Sequence, residues 1–245
     1  MKDFSLLELL KSGAHFGHTT SRWNPKMKQY IFTVRNNIHI LDLEKTKKSL
    51  IKAMSFATEL SSKGGSIVFV GTKRQSKDIV KKAAIACGMP YVNIRWLGGT
   101  FTNFRTIQKT IRKLEKLEGL KESGELNTRY TKKERLLIER EIEKMKKLFE
   151  GIQPMKKLPD AIFITDVKHD DIAVKESQKS KIKIIGVVDS NSNPDGIDYP
   201  IPANDDATKA IELICTAMSE AIIEGKKTIT TILQTDAAVV EPKNK

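Results

Sequence analysis

The sequence has few of the residues on which cross-linking and acid–base catalysis depend. Its 245 residues include 2 cysteines and 4 histidines. Cys87 and Cys215 lie far apart within stretches typical of helices, so their spacing suggests neither a disulfide framework nor a pair of zinc ligands. No Ser/His/Asp, Cys/His or H-E-x-x-H arrangement is visible. We therefore expect two reduced, buried thiols and no enzyme.

Long apolar runs and glycine-rich phosphate loops are also missing. No apolar run approaches the ~20 residues that span a bilayer, and the first four residues lack the cationic-then-apolar run of a secretion signal. These absences predict a cytosolic protein without a membrane partner. Neither G-x-G-x-x-G nor G-x-x-x-x-G-K-[ST] occurs, so the sequence does not support dinucleotide or P-loop nucleotide binding.

Positive charge is abundant and unevenly distributed. The net charge is +13. Residues 1–150 carry 31 Lys and Arg against 15 Asp and Glu, a net charge of +16, whereas residues 151–245 carry 12 against 15, a net charge of −3. A polarised basic balance is the electrostatic footprint of a nucleic-acid binder, because cations that neutralise phosphates release counterions. The alternative is a lysine-rich composition that only keeps the protein soluble.

Short buried-type runs alternate with amphipathic segments, which predicts an α/β fold with a parallel sheet. The predicted strands are 67–70, 89–94, 160–165, 182–188 and 199–202, and the predicted helices are 44–62, 75–86, 169–179 and 204–224. Prolines in the last strand place it at an edge. A short helix over 5–11 and a β-hairpin over 30–41, turning at Asn36 and Asn37, precede this unit.

The sequence pattern of residues 104–150 predicts an inserted helical hairpin. Apolar residues recur at heptad-like spacing in two stretches, and Thr131 with Glu134 forms a capping-box pattern at the start of the second. The two helices are predicted to run antiparallel as a coiled coil. Residues 1–225 then form a single α/β domain, and residues 226–245, where the periodicity is weak, form a mobile tail.

Three stretches interleave cations with aromatic residues or follow predicted strands, which suits RNA because rings stack on bases and cations meet phosphates. An irregular arm carries Arg22, Trp23, Lys26 and Lys28, and Arg35 lies in the hairpin. Lys73 and Arg74 follow a strand, and Arg95 and Arg105 flank Trp96 and Phe101. The assigned RNA-binding residues are Arg22, Trp23, Lys26, Lys28, Arg35, Lys73, Arg74, Arg95 and Arg105.

Each of these assignments has a plainer alternative. Trp23 could cover the core, and Lys73 and Arg74 could be solvated surface cations. For Trp96 and Phe101 we favour packing of the hairpin base against the core over base stacking.

Carboxylates follow several predicted strands, where open α/β sheets place ligand sites. Together with His18, Asp189 and Asp205 could bind Zn²⁺ or Mg²⁺, with Asp166 and Asp206 nearby. Helix capping and turn formation explain the same aspartates equally well.

Several motifs in one order resemble the bacterial small-subunit ribosomal protein S2 family over about residues 4–225. They are Gly13–His18 (GAHFGH), Trp23–Met27 (WNPKM), Phe69–Arg74 (FVGTKR), Arg95–Gly99 (RWLGG), Leu158–Ala161 (LPDA), Asp189–Asn191 (DSN) and Pro194–Gly196 (PDG). The resemblance implies a flavodoxin-like or Rossmann-like sheet of about five strands with a protruding helical hairpin.

The resemblance also implies partners: 16S ribosomal RNA, neighbouring small-subunit proteins and ribosomal protein S1, which captures messenger RNA. We assign Phe104, Ile107 and Lys109 to a protein partner and expect no homo-oligomer. Two other classes of protein remain open. One is a coiled-coil adaptor that acts through residues 105–150 without RNA, and the other is a small-molecule enzyme on the sheet.

Overall fold

An antiparallel sheet of three strands follows the N-terminal helix. The structure, a computed structural model, describes residues 4–239, except for the side chains of residues 127 and 229–239. The three strands are β1 (Phe16–Thr19), β2 (Ile31–Arg35) and β3 (Ile38–Leu41), in the order β1-β3-β2. Asn36 and Asn37 have positive φ angles of 49° and 59°, which confirms the predicted hairpin turn. In the arm, about residues 14–28, which was predicted to be irregular, Phe16–Thr19 form β1 and pair with β3, and short 3-10 helices follow at Thr20–Arg22 and Pro25–Tyr30.

Five parallel strands form the main sheet, as predicted. They are β4 (Ile67–Val70), β5 (Tyr91–Val92), β6 (Ala161–Ile164), β7 (Lys183–Val188) and β8 (Tyr199–Pro202), in the order β5-β4-β6-β7-β8. β4 and β6 are buried on both faces, which explains their continuous apolar sequences. The proline-containing β8 lies at one edge, where a missing N–H breaks no ladder. β5 is shorter than predicted.

Helices lie on both faces of this sheet. The α-helices of the described residues are α1 (Leu6–Lys11), α2 (Leu43–Ser62), α3 (Lys77–Cys87), α4 (Phe104–Glu122), α5 (Glu125–Arg129), α6 (Lys132–Phe149), α7 (Asp171–Lys179) and α8 (Thr208–Val239). Phe69 and Phe163 meet edge to face and pack with α2, α3 and α8. Val68 and Ile162 point to the other face, into a core shared with α4, α6 and α7. The period of two along each strand therefore divides the interior into two cores.

The insertion at 104–150 is helical, as predicted, and begins its second long helix with the predicted capping box. Thr131 Oγ1 accepts a hydrogen bond from Glu134 N, and Glu134 Oε2 accepts one from Thr131 N at 2.9 Å. Ion pairs of Lys113 with Glu141 and of Lys146 with Glu118 join α4 to α6. The connection between the two long helices contains the short helix α5. The antiparallel direction and the protrusion remain predictions.

The last helix is longer than predicted. Apolar periodicity, which weakens from about Lys226, predicts an end at Glu224, whereas α8 continues to Val239. Backbone hydrogen bonding can extend a helix beyond its apolar stripe, which a search for periodicity does not detect. The remainder of the predicted tail, residues 240–245, lies outside the described residues.

Candidate nucleic-acid interface and acidic cluster

The carboxyl ends of the parallel strands meet at one edge of the sheet, which is where α/β folds place their sites. Arg95 follows β5 and Arg74 follows β4, so the first half of this edge is basic. Asp166, Asp189 and Asp205 follow β6, β7 and β8, so the second half is acidic. We call these the basic half and the acidic half of the edge.

The β5–α4 loop, residues 93–103, is anchored to the core by its aromatic residues. Trp96 and Phe101 are 5% and 3% exposed, and their rings meet edge to face with centroids 4.8 Å apart. Both belong to the core beneath α4 and α6. These rings therefore pack the hairpin base against the sheet, as favoured from the sequence, and are not available to stack on RNA bases.

A buried carboxylate from α7 fixes the same loop. Glu176 Oε1 accepts hydrogen bonds from Gly99 N at 2.6 Å and Trp96 Nε1 at 3.4 Å. Its Oε2 accepts from Phe101 N at 2.9 Å, Thr102 N at 3.1 Å and Thr102 Oγ1 at 3.2 Å. Five donors thus converge on one side chain that is 7% exposed.

Sequence reasoning missed Glu176. Burial alone would raise the pKa of its carboxyl, but hydrogen bonds from the loop amides outweigh burial, so the pKa is lowered. One signal was available in the sequence. Glu176 lies on the face of α7 that also carries Ala173 and Ser177, and all three are buried. A carboxylate on the inner face of an amphipathic helix predicts a buried partner.

Three arginines at or beside the basic half are free to meet an anion. Arg74, Arg95 and Arg105 are all exposed. No carboxylate in the described part of the chain lies within 4.0 Å of any of the three. Exposed, unpaired guanidinium groups are suited to bidentate contacts with phosphate.

The arm lies over the end of β7. Asn24 N donates to Ser190 O at 2.7 Å, and His18 N donates to Ser190 Oγ at 2.7 Å. A Cβ at Gly17 would lie 2.6 Å from Ser190 Oγ, so only glycine permits this approach. Trp23 is half-buried against the His39 ring, with centroids 4.9 Å apart.

The cations of the arm and of the β2–β3 hairpin face solvent. Arg22, Lys28 and Arg35 are exposed, and none has a described carboxylate within 4.0 Å. Lys26 is also exposed, but it forms an ion pair with Asp195.

Lys73 has a different environment from its neighbour Arg74. Its Nζ lies 2.7 Å from Asp166 Oδ2, 2.9 Å from Asp205 Oδ1 and 2.7 Å from Asp206 Oδ1. Burial would lower the pKa of Lys73, but these carboxylates outweigh burial and raise it. The ammonium of Lys73, a predicted RNA-binding residue, is thus held inside the acidic half, where the surrounding carboxylates repel phosphate.

The predicted metal ligands do meet. One ligand atom from each of His18, Asp189 and Asp205 lies within 4.8 Å of the others. Asp189 Oδ2 is 3.1 Å from His18 Nδ1 and raises the pKa of His18, whereas burial opposes this shift. That buried nitrogen faces Asp189 without the alignment of an ideal hydrogen bond. Burial raises the pKa of Asp205, and the nearby carboxylates act in the same direction.

The predicted partner-binding residues are not equivalent. Phe104 is half-buried, Lys109 is exposed, and Ile107 is 8% exposed within the core beneath α4 and α6. The helical spacing that suggested a coiled-coil seam places Ile107 in this core, so the assignment of Ile107 to a partner remains a prediction that its burial does not favour. Among the described residues, no helix has the length and apolar character of a membrane span.

Comparison with known proteins agrees with this arrangement. The family model described as ribosomal protein S2 matches residues 9–225. A curated relative from a Nitratiruptor species, named small ribosomal subunit protein uS2, is 51% identical over 223 residues, which cover 91% of this chain and 83% of the relative. The chain therefore belongs to the ribosomal protein S2 family.

Proposed function

We propose that the chain is a structural, non-catalytic constituent of the small ribosomal subunit in the cytoplasm and binds 16S ribosomal RNA. The observation that carries this proposal is the set of exposed arginines without carboxylate partners: Arg74, Arg95 and Arg105 at the basic half, and Arg22 and Arg35 in the N-terminal part. Their guanidinium groups meet phosphate oxygens, which fixes the orientation of the protein on RNA.

The proposal separates cations by what surrounds them. Lys28 joins the unpaired arginines, whereas Trp23 contributes its half-buried ring edge at the border of this surface. Lys73 is left out because three carboxylates already neutralise it. Lys26 takes part only when phosphate displaces Asp195 from its exposed ion pair.

Charge reversal tests the RNA proposal. Arg74→Glu combined with Arg95→Glu should weaken binding to a 16S ribosomal RNA transcript, by about tenfold for each phosphate that is no longer bound, at 0.1 M salt. The salt dependence of binding should become shallower, and less of the tagged protein should cosediment with small subunits.

The control for charge reversal is Lys63→Glu with Lys175→Glu. It makes the same charge change at exposed lysines that already pair with Glu59 and Asp171. Equal affinity and equal cosedimentation for the two double variants would contradict the assignment.

A second proposal concerns the protein partner. Large apolar side chains are exposed on α1 and on the three-stranded sheet: Leu7 is 56%, Leu10 48%, Phe16 48% and Phe32 75% exposed. Leu10 and Phe32 line a common groove of about 410 Å³. We propose that ribosomal protein S1 is anchored here, because exposed clusters of large apolar side chains mark protein interfaces.

Replacing Phe32 tests this anchoring. Phe32→Asp should lower the amount of S1 that copurifies with small subunits while leaving incorporation of the chain itself unchanged. Ile85→Asp is the matched control, because Ile85 is 59% exposed on α3. Equal S1 content in subunits carrying either variant would contradict the proposal.

A third proposal concerns a metal. His18, Asp189 and Asp205 offer one imidazole and two carboxylates, a donor set that fits Zn²⁺, and His18 Nδ1 is buried without an aligned hydrogen bond. A bound ion would tie the arm to the ends of β7 and β8.

Zinc titration with a thermal readout tests this site. Free Zn²⁺ at about 100 times its Kd should stabilise the chain by about 2.7 kcal/mol. His18→Ala should abolish that gain, whereas His169→Ala, at an exposed position, should keep it. Equal zinc-dependent stabilisation of both variants would contradict the site.

A further inference from the structure

The β5–α4 loop combines inward donors with outward cations. Its amide and indole N–H groups converge on Glu176. Arg95 directly precedes the first of these donors, Trp96, and Arg105 follows the last, Thr102, by three residues. Both arginines are exposed. The loop that Glu176 holds therefore also sets the distance between the guanidinium groups of Arg95 and Arg105.

The way in which Glu176 is neutralised matters for those arginines. Backbone N–H groups in a turn can form a concavity that accommodates an anion, and here the N–H groups of Gly99, Phe101 and Thr102 point at the Glu176 carboxylate. Donors without net charge thus satisfy the carboxylate, and neither arginine is within 4.0 Å of a described carboxylate. The loop is fixed by an anion, yet its two cations remain available to a second anion.

We propose that Glu176 is the positioning residue of the RNA contact: its carboxylate holds the β5–α4 loop so that Arg95 and Arg105 engage RNA phosphates together. This inference rests on the proposed RNA-binding function and adds a residue that does not itself touch RNA. A guanidinium group binds phosphate through paired N–H donors that must point in the correct direction. The loop conformation that Glu176 fixes therefore affects how well Arg95 and Arg105 bind phosphate.

Glu176→Gln provides the test. The substitution keeps the size of the side chain, but its NH₂ group then faces N–H donors that previously met a carboxylate oxygen, so the loop must move. For the folded full-length protein and a 16S ribosomal RNA transcript, we expect binding about tenfold weaker for each phosphate that the arginines no longer reach, at 0.1 M salt. The slope of log affinity against log salt should fall by about 0.7–0.9 for each such phosphate.

Two comparisons separate positioning from general destabilisation. Glu212→Gln makes the same charge change at an exposed site on α8 and should leave affinity unchanged. In an Arg95→Ala, Arg105→Ala background, Glu176→Gln should cause no further loss, because a residue that acts through the arginines has no effect without them. Circular dichroism ensures that only folded protein is compared.

The outcomes are distinct. Unchanged affinity in Glu176→Gln, or an equal loss with and without the arginines, overturns the positioning role while the RNA contact stands. No effect of the arginine pair itself overturns the RNA contact at this loop and the inference with it. If Glu176→Gln does not fold, Glu176→Asp replaces it, because aspartate keeps both acceptor oxygens but draws them back by one methylene; the same pattern with a smaller loss is expected.

Discussion

The two halves of the carboxyl edge differ in how their charges are used. In the basic half, Arg74 and Arg95 face solvent and no described carboxylate neutralises them. In the acidic half, Asp166 and Asp205 are 3% and 2% exposed, and the Lys73 ammonium pairs with both of them. In the basic half the cations are exposed and unpaired among the described residues, whereas in the acidic half opposite charges pair within the chain.

Adjacent residues show this difference most directly. Lys73 and Arg74 are neighbours in the same turn after β4, yet Lys73 contacts three carboxylates and Arg74 contacts none among the described residues. The sign of a charge and its position in a motif therefore do not reveal its role. Its role depends on which strand ends surround it in the folded sheet.

Removing Lys73 should produce the largest effect on stability. Lys73→Ala, in metal-free buffer, leaves clustered carboxylates uncompensated and should cost about 3 kcal/mol, because the ion pairs are largely buried. For a chain of this size, Tm should fall by roughly 6–12 °C. Urea and thermal denaturation provide the measurement.

Arg74→Ala is the matched control for Lys73→Ala. We expect it to change stability by no more than about 0.5 kcal/mol, as is usual for an exposed side chain. If the two variants were equally stable, the carboxylate partners of Lys73 would contribute no more to stability than the solvent around Arg74, which would contradict the proposed difference between the two halves of the edge.

Acid should remove the contribution of the Glu176 carboxylate to the free energy of unfolding. The pKa of Glu176 is lowered in the folded chain, below the unfolded value of about 4.3. Its contribution is therefore fully present above that unfolded value and is lost as pH falls through the folded pKa. We expect wild type to exceed Glu176→Gln by about 2 kcal/mol near pH 7, since unsatisfied buried amides are costly.

Urea denaturation at several pH values measures this difference. It should stay constant down to about pH 5 and shrink below pH 4. A difference that persisted unchanged at pH 3 would show that packing, not the ionised carboxylate, holds the loop.

Two neighbouring glycines in the β5–α4 loop should differ in their tolerance of a side chain. Gly99 has a φ of +93°, whereas a Cβ at Gly98 would meet nothing within 4 Å. Gly99→Ala should therefore cost roughly 1–2 kcal/mol, and Gly98→Ala should be neutral within about 0.5 kcal/mol. Thermal denaturation of both variants checks this, and equal costs would mean that the loop does not need its left-handed residue.

Local patterns in the sequence predicted much of the fold. The strands of the parallel sheet were found because burial on both faces requires runs such as Ile67–Val70, and the capping box at Thr131 marked the start of α6. Strand β1 was missed because Gly17 and His18 are poor strand formers. The strand also contacts Ser190, 172 residues from His18 along the chain, and no local pattern reveals that contact.

The site was predicted less completely, because its contacts join distant parts of the chain. The aspartates and His18 could be grouped because each follows a predicted strand or lies in the arm. The three carboxylates around Lys73 come from the ends of β6 and β8, 132 residues away in the case of Asp205. Glu176 meets backbone amides 74 to 77 residues away, and amides carry no signature in a sequence.

The smallest effect on stability should come from an ion pair at the border between the arm and the acidic half. Lys26 and Asp195 are paired, but their side chains are 55% and 59% exposed. Solvent screens such a pair, so Lys26→Ala should change stability by at most about 0.5 kcal/mol.

Asp195→Asn should change stability equally little, yet it frees the Lys26 ammonium for phosphate. Binding to 16S ribosomal RNA should then tighten slightly in Asp195→Asn and weaken in Lys26→Ala, as titrations at low salt can resolve. Unchanged binding in both variants would show that Lys26, like Lys73, pairs with carboxylates of the chain and does not bind RNA.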